Sequence, residues 1–347
     1  MRDLLHAEIT AQAALRPEAV AIVAAGEQLT YAELEEASNR LARLLRAAGC
    51  GRGDRVCLLM PKGPAVVVAI LGVLKADAIW VPLDPSSPPA RLRKVIASCD
   101  SRWILAADTG VGALDELFAD AGFAAAHSVG WLSHAGTDGR SFRPAFTWTD
   151  LAGYSSAPMH CASGPDDPAH ILFTSGSTGD PKGVIITHRH VLHFVRWARR
   201  YFGTTPDDRV SWHPPLHFDL STFDIFGTLG VGATLYPVPA ELSLLPHRLA
   251  EFIRDSELTQ WFAVPSIFTF MSKFDAVEQD DFPTVERITN TAAALPPTFH
   301  DPLREIFPNA LVFRMYGLTE CKRVSYLEPE LLEAKPTSVG KAIPGTE

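Results

Sequence analysis

The sequence predicts an α/β fold in which stacked, mostly parallel sheets are covered by helices. Over the first hundred residues, short apolar segments such as DRVCLLM (54–60) alternate with helix-like segments. Strands that are apolar on both faces are typical of parallel sheets with helices on either side. The length of 347 residues fits one large unit spanning 1–347, with possible subdomains 1–165 and 166–347.

The first helix is predicted by its capping pattern and its periodicity. Thr30 and Glu33 form a T-x-x-E capping box, and Gly49 closes the segment. Apolar residues recur at helical spacing, at Leu34, Ala37, Leu41 and Leu45. The next helix follows Pro64 and contains the ten-residue apolar run AVVVAILGVL, which is half the length of a membrane span and therefore predicts a buried helix.

The alternation continues along the chain. AIWVPLD and RWILAAD are predicted strands, and Pro89 begins a helix between them. Residues 108–168 are predicted to be irregular. Beyond them we predict the strand HILFT, the helix HRHVLHFVRWARRYF, and strands in ELTQWFAVPS, RITNTAA and ALVFRMYGLTE.

Composition excludes some classes of function. The 31 basic and 40 acidic residues give a net charge of −9, which argues against a nucleic-acid partner. Five cysteines without a CxxC pair predict free thiols in the cytoplasm, with neither a disulfide framework nor a zinc site. No secretory signal or membrane span is predicted.

The segment ILFTSGSTGDPKG (171–183) has the parts of an anion-binding loop. Hydroxyls, two glycines and Lys182 follow an apolar strand, and such loops hold phosphate with backbone N–H groups and a point charge. The segment is not the common P-loop, because Pro181 takes the place of the second glycine and Gly183 follows the lysine. A Ser/Gly surface turn is the alternative interpretation.

LFTSGSTGDPKGVIITH resembles the phosphate-binding signature of the adenylate-forming superfamily, which includes the adenylation domains of peptide synthetases, acyl-CoA synthetases and luciferases. LTYAELEEASNRLA, LKADAIWVPLDPSSPPARL, HFDLSTFDIFGTL, MYGLTE and VGKAIPGTE resemble further motifs of that family, in the family's order. The resemblance implies the large N-terminal core of such an enzyme. The small C-terminal subdomain, with its catalytic lysine, is expected beyond residue 347, and the chain alone is expected to fold but to be nearly inactive.

The resemblance also implies roles for individual residues. The substrates would be ATP with Mg²⁺ and an amino acid, and the acyl group would pass to the phosphopantetheine thiol of a carrier protein. The implied nucleotide site comprises Thr174, Ser175, Gly176, Ser177, Thr178, Gly179 and Lys182 at the β- and γ-phosphates, Tyr316 and Gly317 at adenine, Thr319 at the α-phosphate and Glu320 at Mg²⁺. Thr319 and Glu320 are the catalytic candidates.

Asp219 is the main indication of the acid that is activated. In relatives that activate amino acids, an aspartate at this motif position pairs with the substrate ammonium, and an apolar setting makes an unpaired carboxylate costly. Asp219 could instead cap a helix, and Asp224 is a second candidate for either role. The resemblance also implies that Phe218 is an aromatic gate beside the tunnel for the substrate carboxylate. Phe223 would form a wall of the pocket for the substrate side chain.

Five further residues are candidates for the substrate side-chain pocket. Phe262, Thr289, Thr291, Met315 and Arg323 are candidates by their distance from the motifs, and Arg323 receives no role. TNTAAALP differs from the glycine-rich segment of many relatives, and ECKRVSYL resembles freestanding ligases. The alternative functions are an acyl- or aryl-CoA ligase and a non-catalytic binding module.

Overall fold

The computed structural model describes residues 3–175, 180–290 and 300–346. Its helices are α1 (Leu5–Leu15), α2 (Tyr31–Ala47), α3 (Pro64–Lys75), α4 (Pro89–Ser98), α5 (Val111–Phe118), α6 (Ala121–Ala126), α7 (His188–Phe202), α8 (Ser221–Leu229), α9 (Pro246–Asp255), α10 (Pro265–Lys273) and α11 (His300–Ile306). Its strands are β1 (Val20–Ala24), β2 (Glu27–Thr30), β3 (Arg55–Leu59), β4 (Ile79–Pro82), β5 (Trp103–Ala106), β6 (Ser128–Trp131), β7 (Phe146–Thr147), β8 (Pro168–Ser175), β9 (Pro181–Thr187), β10 (Arg209–Trp212), β11 (Thr234–Pro237), β12 (Gln260–Ala263), β13 (Arg287–Asn290), β14 (Leu311–Leu318), β15 (Lys322–Leu327) and β16 (Lys341–Ala342).

The chain divides into two compact units that exchange segments. Unit 1 comprises Met1–Val20, Gln28–Leu192 and Leu216–Asp219, and unit 2 comprises Ala21–Glu27, His193–Pro215 and Leu220–Glu347. The division of the chain into subdomains 1–165 and 166–347 stays a prediction.

The described strands form two sheets. The seven-stranded sheet of unit 1 has the order β7-β6-β5-β3-β4-β8-β9, and its strands are parallel except for β9. Unit 2 is built on a nine-stranded sheet with the order β16-β15-β14-β13-β12-β10-β11-β1-β2, parallel from β14 to β1. The predicted α/β class with mostly parallel strands is confirmed. The region expected to be irregular, 108–168, adds β6 and β7 to the first sheet.

A buried polar network joins α1, α2 and α3. The predicted capping box begins α2, with the Glu33 N–H donating to Thr30 Oγ1 at 3.2 Å. Two residues later, Glu35 accepts from Lys75 Nζ at 2.7 Å, and Lys75 also donates to Ser38 Oγ at 2.7 Å. Lys75 is only 2% exposed, so its charge requires this carboxylate. The predicted buried helix, α3, thus ends at a paired cation.

The extended segment after α6 and β7 is fixed by cations of α2. Arg43 donates to the carbonyls of Ser155 at 2.8 Å and Ala157 at 2.6 Å. Asp77 accepts from the Ser163 N–H at 2.8 Å and from Arg46 at 2.6 Å. Burial raises the pKa of Asp77, but these hydrogen bonds outweigh burial and hold the pKa below its usual value.

In unit 2, a buried ion pair lies at the amino ends of the parallel strands. Arg287, the first residue of β13, donates to both carboxylate oxygens of Asp208, at 3.0 and 2.8 Å. Asp208 also accepts from the Thr205 N–H and from Thr259 Oγ1. These contacts connect the residues that precede β10 and β12 with the start of β13.

Buried histidines lie among the helices of unit 1. The Leu5 N–H donates to Nδ1 of His188 at 3.2 Å, which requires an unprotonated Nδ1. Burial lowers the pKa of His188 to about 4. Burial, with Lys75 as the next cause, lowers the pKa of His6 to about 3. Both side chains are therefore neutral in the folded protein at pH 7.

We predict that the protein loses stability between pH 6.5 and 4. Because both histidines titrate near pH 6.5 when unfolded, the unfolded state takes up protons first as the pH falls, and the stability present above that pH is lost. The expected loss between pH 7 and 5 is roughly 2 kcal/mol for each histidine. Urea unfolding at the two pH values measures the loss.

The matched variants are His6→Leu, which should remove part of this loss, and His247→Leu at an exposed histidine, which should keep it. Equal stability at pH 7 and 5 in the unsubstituted protein would contradict the prediction.

Candidate active site

The anion-loop segment of unit 1 lies in an antiparallel hairpin. β8 pairs with β9, and Thr174 lies directly opposite Lys182. Thr174 is half-buried and Lys182 is exposed. Residues opposite each other in an antiparallel pair share one face, so a hydroxyl and an ammonium group flank the same end of the loop. The predicted phosphate ligands Gly176, Ser177, Thr178 and Gly179, and the side chain of Ser175, lie outside the described residues.

The strand after the loop is a difference from the sequence prediction. The sequence predicted a strand, a loop and then α7, whereas β9 lies between the loop and the helix. Val184, Ile185 and Ile186 are β-branched and favour an extended backbone. At the end of the loop, Asp180 accepts from Lys94 Nζ of α4 at 2.8 Å. Both side chains are exposed, so this pair adds little stability.

The predicted substrate-binding residues Phe218 and Asp219 immediately precede α8. Phe218 is 51% exposed, and its ring lies 4.7 Å from that of His217. Asp219 is half-buried. The N-cap residue of α8 is Leu220, which makes no side-chain capping hydrogen bond, and Asp219 lies one position earlier. Leu220 itself has helical dihedrals, with φ −56° and ψ −41°, so both the capping role and the ammonium-binding role of Asp219 stay predictions.

α8 contributes the buried part of this motif in unit 2. Phe223 is 1% exposed, and its ring packs against those of Phe194, Phe202 and Phe262 at 5.3 to 6.5 Å. Asp224, the second candidate carboxylate, is fully buried one residue later. The more deeply buried acid of the motif is thus Asp224 and not Asp219.

The segment MYGLTE (315–320), which contains the predicted adenine, α-phosphate and Mg²⁺ contacts, lies at the hairpin of β14 and β15. Tyr316 and Glu320 are exposed, and Thr319 between them is half-buried. The pairing of the two strands shifts at Tyr316 and Gly317, where the alternation of faces is interrupted. A Cβ atom on Gly317 would lie 1.8 Å from the Lys322 carbonyl oxygen. Only glycine permits this close approach, so the Tyr-Gly pair serves the hairpin geometry.

Three cations of this hairpin are buried. Arg314, Lys322 and Arg323 are 5%, 4% and 6% exposed. Lys322 also has a φ of 59°, in the left-handed region that non-glycine residues rarely occupy. Burial lowers the pKa of Arg314. Arg314 and Lys322 are not among the residues predicted from the motifs. Their distinguishing feature in the sequence is a basic residue within or beside an otherwise apolar strand.

The other predicted pocket positions of unit 2 are also buried. Phe262, Thr289 and Met315 are at most 2% exposed. Within the described part of the chain, the Thr289 hydroxyl has no hydrogen-bond partner. Thr291 lies outside that part.

Glu320 has the donor chemistry that Mg²⁺ prefers. An exposed carboxylate can join phosphate oxygens and water around this ion, which rarely needs a full set of protein ligands. Residues 3–175, 180–290 and 300–346 contain no group of three or more His, Cys, Asp or Glu side chains placed to hold a metal ion. Within these ranges, no helix has the length and apolar character needed to cross a membrane.

Comparison with known families gives one match over nearly the whole chain. The family of AMP-binding enzymes matches residues 9–347. The chain is 33% identical to an L-proline–(L-prolyl-carrier protein) ligase of Pseudomonas fluorescens, over 99% of this chain and 67% of that protein. A ligase of the same name from Streptomyces coelicolor is 32% identical, over 98% of this chain and 64% of that protein.

Longer proteins and solved structures are also similar. Surfactin synthase subunit 2 of Bacillus subtilis is 32% identical over 91% of this chain, which spans 8% of that protein. The nonribosomal peptide synthetase FmoA3, in its α-methyl-L-serine-AMP bound form, has a TM-score of 0.84 at 30% identity, covering 98% of this chain and 36% of that one. VinN in complex with L-aspartate has a TM-score of 0.81 at 28% identity, covering 99% and 83%.

We predict that Gly317→Ala destabilises the protein by more than about 2 kcal/mol, because the added methyl group meets backbone and no flexible side chain can yield. Gly112→Ala is the control: Gly112 lies in α5 with nothing within 4 Å of a Cβ, so stability should change by at most about 1 kcal/mol. Thermal unfolding of both variants measures the difference. Equal stability of the two would show that the hairpin adjusts without cost.

Proposed function

This chain belongs to the family of AMP-binding enzymes, and from that premise we propose that it activates an amino acid with ATP. The family predicted from the motifs is confirmed. The products would be an aminoacyl-adenylate and pyrophosphate, and the aminoacyl group would then pass to the phosphopantetheine thiol of a carrier protein. The chain spans about two thirds of the two proline ligases, at 67% and 64%. The remainder of such an enzyme, including a small C-terminal subdomain, is part of the proposal.

One observation supports amino-acid activation most directly. The FmoA3 structure bound to α-methyl-L-serine-AMP has the same fold over 98% of this chain. The two ligases, named for a prolyl carrier protein, support a carrier protein as the acceptor. The cytoplasm is the proposed location, because the substrate ATP is found there and the five cysteines, all within the described residues, are free thiols.

In the first step, a carboxylate oxygen of the amino acid attacks the α-phosphorus of ATP. The bond from this phosphorus to the bridging oxygen breaks, and pyrophosphate leaves with that oxygen. Thr174 and Lys182, with the loop between them, would hold the β- and γ-phosphates. Thr319 would contact the α-phosphate. The main tasks are to position the reactants and to offset phosphate charge.

The adenine and substrate groups would be held by other residues. The exposed ring of Tyr316 would lie against adenine beside Gly317, and Glu320 would hold Mg²⁺, which offsets phosphate charge when bound. Asp219 would bind the substrate ammonium, Phe218 would lie near the carboxylate, and the buried Phe223 would form a wall of the side-chain pocket.

The test of the proposed function is amino-acid-dependent exchange of pyrophosphate into ATP, measured on a protein that also contains the proposed C-terminal subdomain. We expect exchange with one or a few members of a panel that includes L-proline, L-aspartate and L-serine. The des-amino analogues are the matched controls. Exchange with fatty or aryl acids and with no amino acid would support the acyl- or aryl-CoA ligase instead. No exchange with any acid, despite ATP binding, would favour a non-catalytic module.

We predict that Lys182→Ala weakens ATP binding at least tenfold and leaves amino-acid binding near the level of the unsubstituted protein. The reason is the loss of a positive charge from the phosphates. Lys94→Ala is the control, because Lys94 is also exposed and pairs with Asp180 at the end of the same loop. Calorimetric titration with ATP measures both. Unchanged ATP affinity in Lys182→Ala would contradict the phosphate assignment.

We predict that Asp219→Ala weakens binding of the amino acid tens-fold while ATP affinity is retained. Removal of one partner from a desolvated charge pair costs roughly 2–5 kcal/mol. The variant should also discriminate less between the amino acid and its des-amino analogue, because the acceptor for the ammonium is gone. Titration with both acids measures this change. A lower melting temperature with unchanged relative affinities would indicate a structural role for Asp219.

A further inference from the structure

Arg314 lies where the apolar core of unit 2 ends. Trp261 of β12, Ile288 of β13 and Val312 of β14 form one row across the sheet, and Trp261 and Ile288 belong to a buried core on that face. Arg314 is the next β14 position on the face of Val312, and its backbone pairs with Asn290, the last residue of β13. Arg314 therefore lies beside the carboxyl end of the parallel strand β13, and the carboxyl ends of parallel strands are where open α/β sheets bind ligands.

The guanidinium of Arg314 is only partly satisfied by the residues that the structure describes. The side chain is 95% buried, and Nη1 donates to the carbonyl oxygen of Pro336 at 2.5 Å. Within the described part of the chain, Nε and Nη2 have no hydrogen-bond partner. A buried charge with unmade hydrogen bonds is costly. By contrast, Arg287 of the same sheet donates to both oxygens of a carboxylate.

The two remaining donors indicate the kind of ligand that would complete this site. Nε and Nη2 lie along one edge of the planar guanidinium and form a fork that matches two oxygens of a carboxylate or a phosphate. A neutral acceptor could take a hydrogen bond but would leave the buried charge uncompensated. We propose that Arg314 binds an oxyanion beside the carboxyl end of β13, on the face of β14 that also carries Tyr316.

Two sources of this oxyanion are available, and naming them rests on the proposed function. One is a phosphate group of ATP or the pyrophosphate product, and the other is a carboxylate of the acid substrate. The alternative is a structural role, in which Arg314 only holds the Pro336 carbonyl in place. The two roles predict opposite effects on stability, because an arginine needed only for the fold is destabilising to remove, whereas an arginine with unmade hydrogen bonds is not.

The experiment compares Arg314→Met and Arg314→Lys with the unsubstituted 347-residue chain. Arg287→Met is the matched control, a buried arginine of the same sheet whose partners are protein groups. Melting temperatures are recorded without ligand and with inorganic phosphate, pyrophosphate and acetate. Affinities for ATP, for adenosine and for the acid found in the exchange assay are measured by calorimetric titration.

We expect Arg314→Met to melt at or above the temperature of the unsubstituted protein and to lose the rise in melting temperature that oxyanions produce. Its affinity for the ligand that supplies the oxyanion should fall at least tenfold. Arg314→Lys should recover part of the affinity, because it keeps the charge without the fork. Arg287→Met should melt lower and keep the rise with oxyanions. If Arg314→Met binds ATP and pyrophosphate more weakly, the oxyanion is a phosphate. If it binds only the acid substrate more weakly, the oxyanion is a carboxylate.

Three results would overturn the proposal. One is a melting temperature that does not rise with any oxyanion in the unsubstituted protein. Another is unchanged affinity for every ligand in Arg314→Met. The third is an equal loss of affinity for adenosine and for ATP in Arg314→Met, which would show that Arg314 contacts adenine and not a phosphate. Failure of the proposed function can be distinguished from failure of this proposal. If the proposed function is wrong, exchange activity is absent, but the melting temperatures with phosphate and acetate still show whether Arg314 binds an oxyanion.

Discussion

The buried ion pair of Asp208 and Arg287 determines the register of the central strands in unit 2. Arg287 opens β13, and Asp208 directly precedes β10, while Thr259 donates to the same carboxylate just before β12. Burial raises the pKa of Asp208, but its hydrogen bonds and Arg287 outweigh burial and keep the pKa below its usual value. The amino ends of β10, β12 and β13 are therefore held side by side in the sheet. Because a shift by one residue would turn every side chain to the opposite face, this pair also determines what lies at the far ends of the strands.

The two segments that are proposed to bind the nucleotide have the same kind of strand pairing. Each one lies where a parallel strand meets an antiparallel partner, at the hairpin of β8 and β9 in unit 1 and at that of β14 and β15 in unit 2. A hairpin holds residues from both strands at fixed cross-strand positions, as Thr174 opposite Lys182 shows. This gives more precise placement than a long loop would provide. It also explains the glycine in the Tyr-Gly pair, since the two backbones approach closely at Gly317.

The buried cations differ in the partners that the described residues give them. Lys75 and Arg287 each meet a carboxylate of the protein at hydrogen-bond distance. Arg314 meets only one carbonyl oxygen among the described residues, although it is equally buried. Proteins commonly keep such incompletely satisfied groups where a ligand completes them. The contrast between cations of the same unit, Arg287 and Arg314, supports assigning ligand binding to one end of the strands and stability to the other.

Local patterns in the amino-acid sequence predict the fold class and the position of the motifs along the chain. The capping box of Thr30 and the apolar run of α3 depend on residues that are close together in the chain, so local patterns show them directly. Tertiary structure alone decided which charged groups are buried and which partners they have. Nothing local shows that Asp224 is buried while Asp219 is half-buried, or that Arg287 meets Asp208 whereas Arg314 keeps two free donors within the described residues. Burial and charge pairing depend on residues distant in sequence, which only the assembled sheet brings together.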